Sequence, residues 1–335
     1  MDVALDTFLV TVYTVIDALY RAHLAPLKPP PDGHPTTLSD SEVLTLLIVG
    51  QWRGNSERAL YRHAAGHWRA YFPRLGDRSS FNRRARARGG VLVHLLPLVA
   101  AELGAPTAVY EVLDGVPVPL MRRCRGERHR LFGEEAGIGR GGSDRDWYYG
   151  CELLVAATDR GAVTGFLLGP PATDDRWLAD APFCWRRDRD ATPWQPEDLP
   201  PSHHRGGARV GPTGPIWPRD AAGVAASAPY VADGGFHGAI WAAHWRDDYG
   251  ATVLTPRALS PDTAAPVRRQ FAGWRQVIET VNARLTETFH LAFPRARSRW
   301  GVLTRLAAKL VALNLSPLLN QRLGRPPFAA ASLFA

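Results

Sequence analysis

The sequence predicts an α/β domain, with a mixed sheet and flanking helices, that follows an all-helical N-terminal region. Two observations lead to this fold class. Apolar residues recur at helical spacing through the first hundred positions, whereas short β-prone runs alternate with helical segments after residue 106. The chain of 335 residues, 45% of them hydrophobic, is long enough for one large domain or two smaller ones with a buried core.

Four helices are expected in the N-terminal region. Apolar residues recur at helical spacing up to Leu19 and stop before a proline-rich linker at 26–31. Ser39 and Glu42 form a capping-box pattern at the start of the second helix. The expected bounds are Val3–Leu19, Ser39 to about Arg53, Ser56–Tyr61 and a longer helix that begins at Ser79 or Ser80.

The second region begins with three β-prone runs. The turn Asp159-Arg160-Gly161 is expected to join the second run to the third as a hairpin. The dipeptide Asp114-Gly115 is expected to end the first strand. The expected strands are Ala108–Leu113, Trp147–Thr158 and Ala162–Leu168.

Helices and strands alternate in the rest of the chain, apart from one long irregular segment. Residues 186–228 are rich in Pro, Arg, Gly and Ala and have almost no periodicity, which predicts an inserted loop. The other expected elements are a helix from about Thr173, the strand Tyr230–Ala232, the helix Ala239–Trp245, the strand Ala251–Leu254 and helices over Ala265 to about Leu291 and Leu303–Leu315. The predicted domains are therefore 1–104, 105–325 with its insertion, and a C-terminal tail at 326–335.

Basic residues outnumber acidic residues, 40 against 32, which leaves a formal charge of +8. Residues 257–325 hold 12 bases and 3 acids, and residues 1–100 hold 12 bases and 8 acids. Two basic helical segments therefore flank a mildly acidic middle. This distribution favours a polyanionic partner that is bound on both sides of an acidic centre.

Composition excludes several classes of protein. The three cysteines include no C-x-x-C pair, so neither a disulfide framework nor a cysteine zinc finger is supported, and a cytoplasmic setting is expected. Asp6 and Asp17 interrupt the apolar N-terminal stretch, which also lacks the basic start of a secretion signal. Later apolar stretches are shorter than the roughly 18–20 residues of a membrane span. We therefore expect a soluble protein.

Three acidic residues stand out by their context. Asp114 and Asp233 each follow a β-prone run, and Glu279 lies within an apolar helical segment. Carboxylates at strand ends can converge at one edge of a sheet, where a packed helix can supply a third. Such oxygen ligands suit Mg²⁺, and two Mg²⁺ ions can activate a nucleophile and stabilise the leaving oxygen of a phosphodiester. The alternative is that each Asp-Gly pair marks an ordinary turn.

Longer segments around these acids share a recognisable pattern. The segments are Leu-Asp-Gly-Val-Pro-Val at 113–118, Ala-Asp-Gly-Gly-Phe-His at 232–237, Arg275-x-x-x-Glu279, the leucine-rich stretch 38–47, and the C-terminal helices up to Asn320 with Arg295, Arg297, Gly301 and Asn314. Together they resemble the bacterial insertion-sequence transposases that have a ribonuclease-H-like DDE catalytic domain.

The resemblance implies a fold, a site and partners. In this family the first Asp lies on the first strand, the second Asp follows the fourth strand, and the Glu lies on a later helix. The resemblance assigns catalysis and metal binding to Asp114, Asp233 and Glu279 of this sequence. It also implies two Mg²⁺ ions, for which Mn²⁺ can substitute, DNA partners at element ends and target, and a homodimer or higher oligomer on DNA.

The sequence departs from the family pattern around the Glu. The family has a Tyr three residues before the Arg and a Lys seven residues after the Glu, whereas this chain has Ala272 and Thr286. Arg284, on the next helical turn, is a candidate to replace the Lys. Arg275 lies four residues before Glu279, so it can pair with that carboxylate, contact phosphate, or do both.

A basic run in the N-terminal region supplies further candidates for DNA binding. The run ends at Arg88 and, with the preceding short helix, predicts a helix-turn-helix-like pair. The alternative is a solvated basic face. The full set of predicted DNA-binding residues is Arg83, Arg84, Arg86, Arg275, Arg284, Arg295 and Arg297.

Three weaker signals favour structural roles. The glycine-rich segment Gly137–Gly142 precedes a strand and has no Gly-Lys-Ser/Thr sequel, so we expect a flexible connection rather than a nucleotide-binding loop. His63 and His67 lie four residues apart, but no third metal ligand is apparent. Trp274 is expected to pack in a core rather than stack on a base.

The sequence as a whole predicts a metal-dependent DNA transposase that cleaves element ends and transfers strands into target DNA. Two alternatives stay open. A related metal-dependent nuclease would cut DNA without joining it. A catalytically decayed DNA-binding protein would bind DNA whether or not Asp114 were replaced by Ala.

Overall fold

The computed structural model describes residues 4–27, 37–54, 56–126, 132, 136–141, 146–171, 173–188, 191–193, 222–260 and 262–326. Its helices are α1 (Leu5–Leu19), α2 (Asp40–Trp52), α3 (Glu57–His67), α4 (Arg78–Ala87), α5 (Gly89–Glu102), α6 (Arg123–Gly126), α7 (Asp175–Arg187), α8 (Ala239–Tyr249), α9 (Ala265–Glu287) and α10 (Arg299–Arg322). Its strands are β1 (Glu111–Arg122), β2 (Gly137–Gly141), β3 (Asp146–Thr158), β4 (Val163–Gly169), β5 (Tyr230–Val231) and β6 (Val253–Leu254).

The chain divides into two compact units. The helical unit comprises Met1–Leu103 with Arg284–Ala335, and the sheet unit comprises Gly104–Ala283. The helical unit gives way to the sheet unit between Leu103 and Gly104, one residue before the predicted domain boundary after residue 104. The predicted second domain extends beyond the sheet unit, because α10 packs against α2 and α5 of the helical unit. Most of the predicted loop at 186–228 and of the tail at 326–335 lies outside the described residues.

Side-chain caps define where helices of the helical unit begin. Ser39 Oγ accepts a hydrogen bond from the Glu42 amide at 3.1 Å, and Glu42 Oε2 accepts one from the Ser39 amide at 2.5 Å, which confirms the predicted capping box. The predicted cap of α4 is wrong by two or three residues. Asp77 caps this helix by accepting hydrogen bonds from the amides of Ser79 and Ser80, because Asp is as good an N-cap as Ser.

The last helix, α10, is long and apolar enough to cross a membrane. However, 89% of its apolar window is buried inside the protein. No second helix in the described ranges passes the same test. Burial of this extent is typical of the core helix of a soluble protein.

The sheet unit contains an open, mixed sheet of six strands. β3 pairs antiparallel with β1 on one edge, and its other edge is shared by β2 and β4. β5 lies parallel to β1 on the opposite side, and β6 lies parallel to β5. The sheet therefore has an antiparallel half and a parallel half that meet at β1.

Two segments that were expected to be irregular are strands. Asp114-Gly115 does not end β1, because both residues pair with β3 and the strand continues to Arg122. Gly137–Gly142 is not a flexible connection over its described residues, because Gly137 to Gly141 form β2 and pair with β3. A Cβ atom at Gly139 would lie 2.8 Å from the ring of Tyr148, so glycine allows this close packing.

A buried apolar cluster fixes α7 and α8 against the sheet. Leu113, Leu154 and Leu167 of three neighbouring strands pack with Phe183 of α7 and Trp245 of α8. The rings of Phe183 and Trp245 meet edge to face with their centroids 5.2 Å apart. This packing holds the start of α7 and the turn before α8 near the end of β5.

A polar bridge reinforces the contact between α7 and α8. His244 Nε2 lies 2.8 Å from Asp180 Oδ1, and Trp245 Nε1 donates to the same oxygen at 3.0 Å. Asp248 Oδ2 lies 2.5 Å from the other ring nitrogen. Burial lowers the pKa of His244, but the hydrogen bonds to the two aspartates outweigh it and raise the pKa overall. The bridge is therefore favoured with a charged imidazole.

Candidate active site

Asp114 and Asp233 lie next to each other because their strands are parallel neighbours. β1 and β5 pair in a register that sets Val112 opposite Val231, and each aspartate lies two residues beyond its valine. Neighbouring strands are about 4.8 Å apart, so equal offsets bring the two residues to the same level along the two strands. The structure thus brings together the two aspartates that the sequence predicts.

Hydrogen bonds orient both aspartates. Asp233 begins the 3-10 turn Gly234–Phe236, and its Oδ1 accepts a hydrogen bond from the Gly235 amide at 2.7 Å. Asp114 Oδ2 accepts a hydrogen bond from Asn282 Nδ2 of α9 at 2.8 Å. One carboxylate is therefore held by the backbone after its strand and the other by a side chain from a helix.

Two further carboxylates, which the sequence analysis missed, converge on the same place. A Cβ atom built on Gly235 would clash with the Asp175 carboxylate and lie 2.9 Å from Asp233 Oδ1. A Cβ atom on Gly115 would lie 3.0 Å from Glu152 Oε1 and 3.7 Å from Asp175 Oδ1. The two glycines leave the space that these carboxylates occupy.

The sequence contains a weak signal for each missed residue. Asp175 belongs to the consecutive pair Asp174-Asp175 at the start of a predicted helix. Glu152 is the one charged residue in the predicted strand Trp147–Thr158. Both signals point to the site only once the fold is known, because the topology sets β3 beside β1 and the start of α7 near the end of β5.

Burial and mutual repulsion raise the pKa of Asp114, Asp175 and Glu152. Burial first, and then the charges of Asp233 and Asp175, raise the pKa of Asp114 to about 7, although the charge of Arg275 opposes the rise. Burial, followed by the charge of Asp233, raises the pKa of Asp175 to about 6. Burial also raises the pKa of Glu152 to about 7. The site holds more negative charge than its surroundings neutralise, which favours a bound cation.

Glu279 lies on the helix that contacts Asp114. The helix α9 carries Arg275, Glu279 and Asn282 at spacings of four and three residues, so they share one helix face. The Glu279 carboxylate lies 3.9 Å from the Arg275 guanidinium, and its side chain is 61% exposed. The predicted ion pair is confirmed. The convergence of Glu279 with the two aspartates stays a prediction.

The donor set fits a hard divalent cation in its chemistry. Carboxylate oxygens are the ligands that Mg²⁺ prefers, and a cation would offset the repulsion that raises the pKa of Asp114. Within the described residues, no three His, Cys, Asp or Glu side chains are gathered closely enough to hold a metal ion as they stand. Support for a cation therefore comes from the type and charge of the donors.

The predicted DNA-binding arginines of α4 differ in their surroundings. Arg84 Nη2 lies 2.8 Å from Asp40 Oδ1, and Arg88 Nε binds the same oxygen at 2.9 Å. Asp40 is only 7% exposed, so Arg84 is held by a buried partner. Arg83 and Arg86 are exposed. Of the three arginines predicted for the basic face of α4, Arg83 and Arg86 are therefore exposed to solvent, and Arg84 is bound to Asp40.

The other predicted arginines of the helical unit follow Ala283. Arg295 and Arg297 are exposed in the loop that joins α9 to α10. Arg295 has a φ of 57°, in the left-handed region that residues other than glycine seldom adopt. Arg284 is half-buried, and burial lowers its pKa. Its replacement of the family's Lys stays a prediction.

Two of the weaker candidates have structural contacts. The ring of Trp274 is half-buried, with its centroid 5.3 Å from that of Tyr110 and 6.1 Å from that of Phe271, as expected of a packed side chain. His63 and His67 stack with their centroids 4.6 Å apart. This pair belongs to no metal-binding group in the part of the chain that the structure describes.

Comparison of the chain with protein-family models, with curated proteins and with solved structures gives no significant match. The candidate site is therefore defined by the geometry and electrostatics of its carboxylates.

Proposed function

We propose that the protein is a DNA transposase whose active site contains Asp114, Asp233 and Glu279. One observation carries the proposal: Asp114 and Asp233, from distant segments of the chain, lie side by side in a group of carboxylates that repel one another. Buried like charges cost stability, so such a group is more typical of a functional site than of a structural one.

The order of elements supports a ribonuclease-H-like fold for the sheet unit. With the four-residue helix α6 and the short strand β2 set aside, the helices and strands from β1 to α9 run strand, strand, strand, helix, strand, helix, strand, helix. Asp114 lies on the first of these strands, Asp233 follows the fourth, and Glu279 lies on the helix after the fifth. This order agrees with the resemblance to DDE transposases. We assign DNA binding to the N-terminal helices.

The carboxylates would hold the metal cofactor. Asp114, Asp233 and Glu279 would bind two Mg²⁺ ions or Mn²⁺ in their place, and Asp175 would add a carboxylate beside Asp233. Bound divalent cations supply activation of the attacking oxygen and stabilisation of the leaving oxygen.

Two residues of α9 prepare Asp114 for ligation. Asn282 donates to Oδ2 and so fixes the orientation of the carboxylate. The positive charge of Arg275 lowers the pKa of Asp114 and favours the ionised form that a cation requires. The Arg275 guanidinium also lies 3.9 Å from the Glu279 carboxylate. It can leave the Glu279 carboxylate and bind a DNA phosphate instead, because guanidinium groups bind both anions.

The proposed reaction consists of two phosphoryl transfers. Water attacks the phosphodiester at the element's end and leaves a free 3′-OH. This hydroxyl then attacks a phosphodiester of the target DNA and displaces the target's 3′ oxygen. The new bond between the element's 3′ oxygen and the target phosphorus joins element to target. No covalent link between protein and DNA forms. We expect a homodimer or higher oligomer, acting in the cytoplasm, that brings two ends together.

Exposed arginines would bind the phosphate backbone. In the helical unit, Arg83 and Arg86 of α4 and Arg295 and Arg297 of the loop before α10 are exposed. Such contacts give affinity that falls steeply with salt and carries little sequence information. Arg284 would contact DNA only if its half-buried side chain moved outward.

The proposal is tested with a plasmid that carries the gene's own flanking DNA. We expect cleavage at the flanks that requires Mg²⁺, stops in EDTA, and is lost in Asp114→Ala and Glu279→Ala. Joined products would identify a transposase, whereas breaks without joined products would identify the alternative nuclease.

A second candidate, a decayed DNA-binding protein, is favoured by one observation. The Glu279 side chain is exposed and paired with Arg275, and Ala272 and Thr286 stand where the family has Tyr and Lys. This candidate predicts salt-sensitive DNA binding without cleavage, even in Mn²⁺. Cleavage by the wild type would exclude it.

A further inference from the structure

An exposed tryptophan stands among arginines at the far end of β3. Trp147 is 53% exposed, although a ring of this size is usually buried. The guanidinium carbon of Arg123 lies 4.9 Å from the centroid of the ring, and that of Arg140 lies 5.9 Å from it. We call Trp147, Arg123 and Arg140 the Trp147 surface.

Three elements hold the Trp147 surface in place. Arg140 lies directly opposite Trp147 where β2 pairs with β3. Arg123 begins the short helix α6, which follows β1. The side chains therefore belong to a sheet edge and its cover rather than to a free loop, so their spacing is set by backbone hydrogen bonds.

The described residues around Trp147 carry a positive net charge. Arg122, Arg123 and Arg125 are consecutive or near-consecutive exposed residues at the end of β1 and in α6, and Arg140 is also exposed. Asp146, beside Trp147, is an exposed acid in the same region. Among the residues that the structure describes here, four arginines stand against this one aspartate, which favours an anionic partner.

The aromatic ring narrows the class of anionic partner. An acidic peptide or a free phosphate would be bound by arginines alone and would gain little from an exposed indole. A nucleic-acid strand uses both features, because arginines contact its phosphates while an unpaired base stacks on the aromatic face. Base stacking needs no sequence preference, since every base has a π-face.

The Trp147 surface has a defined distance from the carboxylates. Trp147 and Val155 are separated by an even number of positions on β3, so they lie on the same face, and Val155 is directly opposite Asp114. At about 3.4 Å per residue, these positions are about 27 Å apart. DNA rises about 3.4 Å per base pair, so the distance corresponds to about eight nucleotides.

We propose that the Trp147 surface binds DNA about eight nucleotides from the phosphodiester that is cleaved, with Arg123 and Arg140 on phosphates and Trp147 stacked on an unpaired base. The distance from the cut rests on the proposed function. The binding of DNA by this surface does not, because it can be measured without cleavage.

Binding is measured by fluorescence anisotropy in EDTA, with a labelled duplex that carries a single-stranded extension. Trp147→Ala should weaken binding about tenfold, and Trp147→Phe should restore most of the affinity. Arg140→Ala should reduce the slope of log affinity against log salt by nearly one. Arg246→Ala is the matched control, because Arg246 is an exposed arginine of the same unit that pairs with the neighbouring Asp247.

Each outcome decides the inference. Equal affinity of wild type and Trp147→Ala, a preference for RNA of the same sequence, or a loss as large in Arg246→Ala would overturn it, while leaving cleavage to be judged by the plasmid assay. Thermal unfolding of each variant separates lost binding from lost folding, and the Trp147→Phe result decides the case if the alanine variant unfolds. Photo-crosslinking of Trp147 to a base about eight nucleotides from the cut tests the position.

Discussion

The Asp114→Asn variant should be more stable than the wild type near pH 8 when no divalent cation is present. The pKa of Asp114 is about 7 in the folded protein, against an ordinary value of 3.8. The folded state therefore binds a proton more readily than the unfolded chain between these values, and wild-type stability falls as the pH rises from about 4 to 7. Asparagine carries no charge and avoids this loss.

The size of the effect follows from the two pKa values of Asp114. A difference of about 3 in pKa corresponds to about 4 kcal/mol in the free energy of unfolding when the whole range has been crossed. Between pH 5 and pH 8, the advantage of the variant should grow by about 2 to 3 kcal/mol. The substitution keeps an oxygen that can accept the hydrogen bond from Asn282.

Urea unfolding in EDTA at the two pH values measures this advantage. The control is Asp247→Asn, which removes an aspartate whose side chain is 63% exposed and should show no comparable pH dependence. If the stability advantage of Asp114→Asn stayed constant or shrank as the pH rose, Asp114 would not carry a buried, repelled charge and the reasoning would be refuted.

Four other substitutions test separate parts of the account. Asp175→Asn should slow cleavage at least about tenfold in a time course, whereas Asp174→Asn, at the neighbouring helix cap, should leave the rate nearly unchanged. Glu279→Gln should abolish cleavage but change the free energy of unfolding by less than about 0.5 kcal/mol, because its ion pair is exposed; a larger loss in urea would indicate a structural role. Asp40→Ala should destabilise the protein by about 3 kcal/mol in the same assay, since two arginines lose their buried partner. Arg83→Ala should leave the unfolding midpoint unchanged and weaken DNA binding at low salt, and unchanged affinity would remove this residue from the DNA-binding surface.

Local sequence pattern was sufficient to locate most helices and strands. The segments around Tyr230 and Val253 are strands of only two residues each, yet their apolar runs predict them. The pattern failed where distant pairing decides the structure. Asp114-Gly115 has the composition of a turn, but hydrogen bonds to β3 keep it within β1. Hydrogen bonds to β3 likewise make a strand of Gly137–Gly141.

The candidate site was predicted in part for the same reason. Asp114 and Asp233 are marked by the β-prone runs that precede them, by the Asp-Gly pairs that they begin, and by the family resemblance. The local sequence marks Asp175 and Glu152 only weakly, because their approach to Asp114 depends on the order of the strands and on the packing of α7. The four-residue spacing of Arg275 and Glu279 predicts their ion pair, but it does not decide whether Glu279 also approaches the aspartates, because that depends on how α9 packs against the sheet.

The most direct test of the central claim is a crystal structure of the protein with Mn²⁺ and a DNA duplex that carries an element end. Anomalous scattering locates Mn²⁺ independently of the refined coordinates. The account predicts Mn²⁺ bound to carboxylate oxygens of Asp114 and Asp233, and no such ion in the Asp233→Asn variant. A complex that cleaves DNA with its Mn²⁺ held by other residues would contradict it.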